Sequence, residues 1–336
     1  MSGKIGDSER TDSFARTGNS LDIAGSDSPT IPSPTDQTIL VTGGAGFVGS
    51  HLVDALTADN EVRVLDDFSS GNRGNVPENA EIVEGDVRDP RTVRNAMAGV
   101  DTVFHQAAMV SVEQSVEHPL RSHAVTGDGS LVVLDCARRE DARVVLASSA
   151  AVYGHPESVP ISESARKTPT SPYGIDKLVA DQYARRFSDL YGLETVVLRY
   201  FNIYGPRQNP EYSAVVRVFM EQASRDDNIT IEGDGTQTRD FVHISDVVQA
   251  NLRAAVTDRT GEAFNVGTGE SVTIRELAEA VRDASDSDSD IVHVEPRQGD
   301  IDHSRADVRR AREKLDYEPT VSLSAGLQSL VGELTV

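Results

Sequence analysis

The sequence predicts an α/β fold, a doubly wound parallel sheet with a smaller C-terminal α/β domain. Three observations predict it. Short apolar runs alternate with helix-length stretches from residue 38 to residue 200. A glycine-rich turn joins the first apolar run to the first helix. After Tyr200 the alternation gives way to loops, short strands and helices.

Residues 1–36 are rich in Ser, Thr, Asp, Gly and Pro and are predicted to be a disordered tail. The folded part opens on the strand Thr38-Ile39-Leu40-Val41, followed by a helix from about Phe47 to Ala58. Further strands are predicted at Glu61–Leu65, Glu81–Val83, Thr102–His105, Val144–Ala147 and Thr195–Leu198, with long helices near His118–Arg139 and Ser171–Asp189. Beyond Tyr200, His243–Val256 reads as a helix, and Phe264–Val266 and Ile291–Val294 as strands. The run Asp283–Asp290 is a solvated acidic loop. The expected division is 37–201 for a dinucleotide-binding domain, with 241–262 returning to it, and 202–240 plus 263–336 for a substrate domain.

The chain of 336 residues is long enough to bury a sizeable core. Its net charge of -22 repels phosphate backbones and anionic lipid surfaces, so neither nucleic acid nor membrane is expected as a partner. Lys4, Lys167, Lys177 and Lys314 are the only lysines, a halophilic composition that fits a salt-rich cytoplasm; an ordinary acidic enzyme is the alternative. Cys136 is alone, which excludes an internal disulfide and points to a reducing compartment. No apolar run approaches 18 residues and the N-terminus has no apolar signal core, so a cytoplasmic protein is expected.

Gly43-Gly44-Ala45-Gly46-Phe47-Val48-Gly49 lies between the first strand and the first helix. Gly43 permits the tight turn, Gly46 lets the backbone approach a pyrophosphate, and Gly49 lets helix and strand pack closely. The helix N-terminus then holds the anion. Asp66 lies 23 residues after Gly43, near the spacing of an acid that bonds a ribose 2′-hydroxyl and repels a 2′-phosphate, which favours NAD. Asp67 is an equal candidate.

Tyr173 and Lys177 stand four apart after Ser171-Pro172, a helix start, and share one helix face. A free phenol ionises near pH 10. A neighbouring cation brings this down by roughly 1–3 pKa units, making Tyr173 a candidate general base with Lys177 as its activator. Ser149 follows a parallel strand, where ligands of doubly wound sheets sit, and can bond the same substrate oxygen.

These pieces resemble the extended short-chain dehydrogenase/reductase family, and within it the UDP-galactose and UDP-N-acetylglucosamine 4-epimerases. The resemblance runs from Thr38 to about Leu327 through Thr42–Gly49, Gly85-Asp86-Val87, His105–Ala108, Ser148–Gly154, Tyr173–Lys177 and Arg199–Asn202. It continues through Gly205–Gln208, Gly233–Gly235, Arg239–His243, Phe264–Gly267 and Arg297–Asp300. It implies a Rossmann sheet, tightly held NAD, a nucleotide-sugar substrate, a homodimer, and epimerisation through a transient 4-keto sugar. By the resemblance Ser149, Tyr173 and Lys177 are catalytic. Phe68, Ser69, Gly71, Asp86, Val87, Gln106, Ala107, Ala108, Val110, Tyr200 and Phe201 join the turn residues and the two acids around the cofactor. Ser111, Ser149, Asn202, Arg239, Arg297, Asp300 and Ser304 hold the substrate, where arginine suits phosphate.

Three departures matter. Thr126 stands where the family often has Asn, leaving one of its cofactor hydrogen bonds unassigned. Ala150 and Ala151 replace the acid that dehydratases and decarboxylases carry after the catalytic hydroxyl, which disfavours the rival lyase reading. Ser304 replaces a bulky Tyr and leaves room for an N-acetyl group. A non-catalytic dinucleotide sensor is the third reading, and the retained Tyr–Lys pair counts against it. His51 reads as helix surface, His105 and His243 as structural. No His, Asp and Glu set has metal-ligand spacing, so no metal is expected.

Overall fold

A computed structural model describes residues 31–209, 215–296 and 299–334. Most of the segment read as a tail lies outside the described residues. Two residues at or before the boundary at 36 are bonded to the fold: Asp36 N–H donates to Asp59 O at 2.9 Å, and Asn60 Nδ2 donates to Pro34 O at 3.0 Å.

The first half alternates strand and helix: β1 (Thr38–Thr42), α1 (Phe47–Leu56), β2 (Glu61–Asp66), β3 (Glu81–Glu84), α2 (Pro90–Met97) and β4 (Thr102–His105). Then come α3 (Val112–Glu117), α4 (Pro119–Ser122), a π-helical turn (His123–Asp128), α5 (Gly129–Glu140), β5 (Arg143–Ser149), α6 (Pro172–Tyr191), β6 (Thr195–Tyr200) and β7 (Asn202–Tyr204). The second half contains α7 (Val215–Ala223), β8 (Ile229–Glu232), β9 (Thr238–Arg239), β10 (Phe241–His243), α8 (Ile244–Val256), β11 (Glu262–Val266) and β12 (Val272–Thr273). It ends with α9 (Ile274–Ala284), β13 (Ile291–Val294), α10 (Arg309–Leu315) and α11 (Leu323–Leu334).

Seven parallel strands form the main sheet in the order β11-β6-β5-β4-β1-β2-β3. Alternate side chains point to opposite faces. Ile39, Val41, Phe104, Val145 and Leu198 pack under α1, α8 and α10, whereas Leu40, Val103, Val144, Leu146 and Val197 pack under α2, α5 and α6. Both faces being covered explains why these strands read as unbroken apolar runs. A separate cluster, including Phe219, Met220, Ile231, Leu277 and Leu327, joins α7, α9 and α11 to β8.

Two expected boundaries move. The division at 262 falls inside β11, all of whose residues pair with β6 (Glu262 with Val196, Val266 with Tyr200), so this strand completes the main sheet. The helix expected over 118–139 is interrupted by the π-turn at 123–128, because Thr126 and Ser130 are engaged sideways. Thr126 Oγ1 accepts from Met109 N–H at 3.1 Å, and Ser130 Oγ donates to Thr126 O at 2.5 Å. His51 is another correction: it is 4% exposed, because α1 packs on α8, and its Nδ1 meets Phe47 O at 2.9 Å. No helix among the described residues is long and apolar enough to cross a membrane.

Candidate active site

The strand order reverses between β1 and β4, and the turns leaving their carboxyl ends touch. Gly43 has φ +68°, and a Cβ there would lie 2.8 Å from Ala107 N. At Gly49 a Cβ would lie 2.1 Å from Gly43 O, so only glycine lets α1 start against its own turn. Gly46 is the N-cap of α1; no side chain caps the helix and its first turn holds no acid. Phe47 and Val48, half-buried, complete this turn. An uncapped helix start lined by backbone fits the pyrophosphate of a dinucleotide.

Asp66 and Asp67 at the end of β2 differ in setting. Asp66 is 7% exposed; its carboxylate accepts Ala45 N–H at 2.9 Å and Phe68 N–H at 2.8 Å, and burial raises its pKa. It therefore ties the acid strand to the glycine turn. Asp67 is exposed and accepts Ser69 N–H at 2.9 Å. Gly71 sits close to Ala45, where a Cβ would be 2.8 Å from the alanine methyl, and the Arg73 guanidinium stacks 4.2 Å over Phe68. Asp86 is paired with Arg88, whose Nε lies 2.8 Å from it, and this holds its carboxyl below the usual range; Val87 beside it is buried.

Along the other wall, Ala107 and Ala108 are half-buried and Val110 is exposed. Gln106 and Tyr200 are brought together, but turned to α8: Gln106 Nε2 donates to Asn251 Oδ1 at 3.3 Å and Tyr200 Oη donates to it at 3.0 Å. Their polar ends are thus bonded to a shared partner inside the protein. Asn251 is the residue that sequence reasoning missed, because no local pattern joins it to strands β4 and β6. Phe201 is buried behind Tyr200.

Ser149, Tyr173 and Lys177 do converge. Ser149 ends β5, where its Oγ accepts Ala151 N–H at 3.1 Å. Ser171 caps α6 by accepting Gly174 N–H at 3.1 Å, and Pro172 opens the helix, so Tyr173 emerges in the first turn. The Ser149 hydroxyl faces the Tyr173 phenol and favours its ionisation, while burial, the larger effect, raises its pKa. Lys177 Nζ lies 6.0 Å from the Tyr173 ring centre and donates to Ala147 O at 2.8 Å. Burial lowers the Lys177 pKa to about 8. The expected depression of the phenol by the ammonium is therefore corrected: both groups are desolvated, which disfavours phenolate and ammonium alike. Burial, with the Lys177 charge adding to it, holds His105 at the end of β4 neutral, with a pKa lowered to about 3.

Helix α6 is anchored below this site by Asp181. Its carboxylate takes Arg199 Nε of β6 at 2.7 Å and Arg185 Nε at 2.9 Å, and Arg199 also donates to Tyr153 Oη at 3.0 Å. Arg199 is 1% exposed. Removing one member of such a pair costs about 3–5 kcal/mol, so the helix is firmly seated.

Of the substrate candidates, Asn202 N–H donates to Asp240 O at 3.0 Å and Ser304 N–H to Thr238 O at 3.1 Å, which places both beside Arg239. Arg239, nearly buried, is bonded to Asp300 and, at 2.8 Å, to Thr238 O. Ser304 is buried. Ser111, buried, caps α3 by accepting Gln114 N–H at 3.1 Å. Arg297 lies outside the described residues. Among the described residues no group of three His, Cys, Asp or Glu gathers as a metal site.

Known proteins resemble this chain over most of its length. A UDP-glucose 4-epimerase of Mycolicibacterium smegmatis is 39% identical over 302 residues, covering 87% of this chain and 96% of that protein. The crystal structure of UDP-glucose 4-epimerase with UDP-glucose from Thermotoga maritima superposes with a TM-score of 0.86 at 39% identity, over 89% of this chain and 98% of that one. A UDP-N-acetylglucosamine 4-epimerase from Methanobrevibacter ruminantium, in complex with UDP-N-acetylmuramic acid, gives a TM-score of 0.86 at 37% identity, over 89% and 98% of the two chains. Residues 39–267 match the NAD dependent epimerase/dehydratase family. The chain belongs to that family.

Proposed function

We propose that the protein is an NAD-dependent nucleotide-sugar 4-epimerase acting on UDP-glucose and UDP-galactose or their N-acetyl forms. One observation carries the reading: Ser149, Tyr173 and Lys177 meet at the carboxyl end of β5, beside the crevice that the glycine turn opens. NAD held there would accept the hydride from C4 of the sugar and return it, and its positive ring would favour the phenolate. Tyr173 takes the proton from the 4-hydroxyl and returns it to that same oxygen, while the hydride would come back to the other face of C4 once the transient 4-keto sugar has turned over in the site. Ser149 bonds the same oxygen. Lys177 balances the charge on the phenolate from within the pocket. Arg239, with Arg297, takes the diphosphate.

Ala150 and Ala151 beside Ser149 supply no acid for loss of water or carbon dioxide, which supports epimerisation over lyase chemistry. Buried Ser304 supports space for an N-acetyl group. The reading extends to residues 37–201 and 241–266 as the cofactor-binding part, the remainder taking the sugar nucleotide. It includes a homodimer through α4 and α6, on which Leu120, Ile175, Tyr183, Leu190 and Tyr191 are exposed. A salt-rich cytoplasm suits the net charge of -22.

The test is incubation of the protein and NAD with a panel of nucleotide sugars, followed by mass and proton NMR of the products. Unchanged mass with inverted C4 is expected. Loss of water or carbon dioxide, or no turnover of any member, overturns the reading.

A further inference from the structure

Helix α6 carries a second buried charge that the proposed proton transfer does not use. Asp176 precedes Lys177, about 100° round the helix from it, and is 3% exposed. Its carboxylate is clamped from the facing helix: Oδ2 accepts Ser122 Oγ at 2.6 Å, and Oδ1 meets His123 Nδ1 at 2.8 Å. His123 opens the π-turn, and its ring lies against Gly127, where a Cβ would come within 3.0 Å of Cε1 and Nδ1. The other ring nitrogen, Nε2, stands 4.0 Å from Asp128 Oδ1. One imidazole thus bridges carboxylates on two helices.

The π-turn is wedged between the catalytic helix and the crevice. Thr126 holds Met109 N–H at 3.1 Å, and Ser130 at the start of α5 meets His105 Nε2 at 2.9 Å. A change at His123 therefore acts on a rigid junction shared by both walls of the site.

We propose that His123 and Asp176 are proton-controlled positioning residues: the imidazolium held between Asp176 and Asp128 keeps the start of α6 where Tyr173 and Lys177 face the crevice, and its deprotonation loosens that hold. The inference rests on the reading of Tyr173 and Lys177 given above. The charged groups facing His123 are Asp176 from α6 and Asp128 from its own turn; Lys177 turns its ammonium to Ala147 O. The bond from Asp176 raises the His123 pKa above 6.5. The charged clamp is thus fully formed below that value and lost as pH rises through the folded-state pKa.

The test measures kcat and KM of the NAD-bound protein from below pH 6.5 up to, but not through, the value of about 8 where Lys177 titrates, for the wild type, His123→Gln and Asp176→Asn. Both variants keep a hydrogen-bonding side chain of similar size but remove the charge pair. The wild type should show a descending step in kcat across this range, and both variants should lack it. On the acidic side their kcat should fall by up to about tenfold, with KM unchanged, a tenfold step being ~1.4 kcal/mol. Melting temperature over the same range is read in parallel. The wild type should lose stability as pH rises, and His123→Gln should not. If the wild type turns over no nucleotide sugar, the functional reading falls alone and the melting curves still judge the clamp. A pH step in kcat retained by either variant, or parallel melting curves, overturns the proposal.

Discussion

Lys177 donates its ammonium to the carbonyl of Ala147 at 2.8 Å, which fixes the cation at the end of β5 and leaves it 6.0 Å from the ring centre of Tyr173. The lysine is held by the sheet rather than by its phenolic neighbour. Among the described residues its buried charge has no carboxylate in ion-pair contact, an arrangement that stability alone would not favour.

Lys177→Met should separate stability from activity. The folded pKa of about 8 lies below the ordinary 10.5, so the unfolded chain binds more protons between these values and wild-type stability rises with pH across that window. At neutral pH the buried ammonium opposes folding. Its replacement should raise stability there by about 1–3 kcal/mol, while kcat collapses. Denaturant melts at neutral and alkaline pH, beside turnover assays, check both halves.

Gly49→Ala should damage the cofactor turn. Its methyl would sit 2.1 Å from Gly43 O, so strand and helix must part. Overpacking of this kind costs about 1–3 kcal/mol. The expected result is a lower melting temperature together with faster loss of NAD, followed by equilibrium dialysis. Wild-type NAD retention would contradict the role given to this turn.

Ser304→Tyr should narrow the sugar pocket. Ser304 is buried and its backbone is bonded to Thr238 beside Arg239, so a phenol there fills space next to the arginine proposed to take the diphosphate. Turnover of N-acetylated substrates should fall far more than turnover of UDP-glucose. Steady-state rates on both sugars decide it.

Leu190→Glu combined with Tyr183→Glu should yield a monomer. Both side chains are exposed on α6, 70% and 42% respectively. Placing carboxylates there opposes burial against a second copy. Light scattering after size exclusion should show half the wild-type mass; an unchanged mass would remove α6 from the interface.

The parallel strands were legible because burial on both faces leaves continuous apolar runs, as at Val144–Ala147. The glycine turn was legible because its three glycines answer three separate steric demands. The π-turn was not, since its cause is the sideways bonding of Thr126 to Met109, which local periodicity does not encode. His51 was misjudged for a similar reason: whether a helix face meets solvent or α8 depends on where a helix almost 200 residues later returns. Gln106 just after β4 and Tyr200 at the end of β6 turn their side chains to Asn251, a partner supplied only by the tertiary fold. Tyr173 and Lys177 were found by spacing, whereas the sign of the phenol's shift depended on burial that spacing does not reveal.

The last strand of the main sheet has a consequence for how the protein is made. Strand β11 joins β6 only after the chain has travelled from Tyr200 to Glu262 through β7 to β10 and helices α7 and α8. On the ribosome, the first six strands of the main sheet therefore emerge with β6 as an open, apolar border, available to any strand that meets it. Maturation closes when residues 262–266 arrive, which makes the late-synthesised half a guardian of the early one during birth.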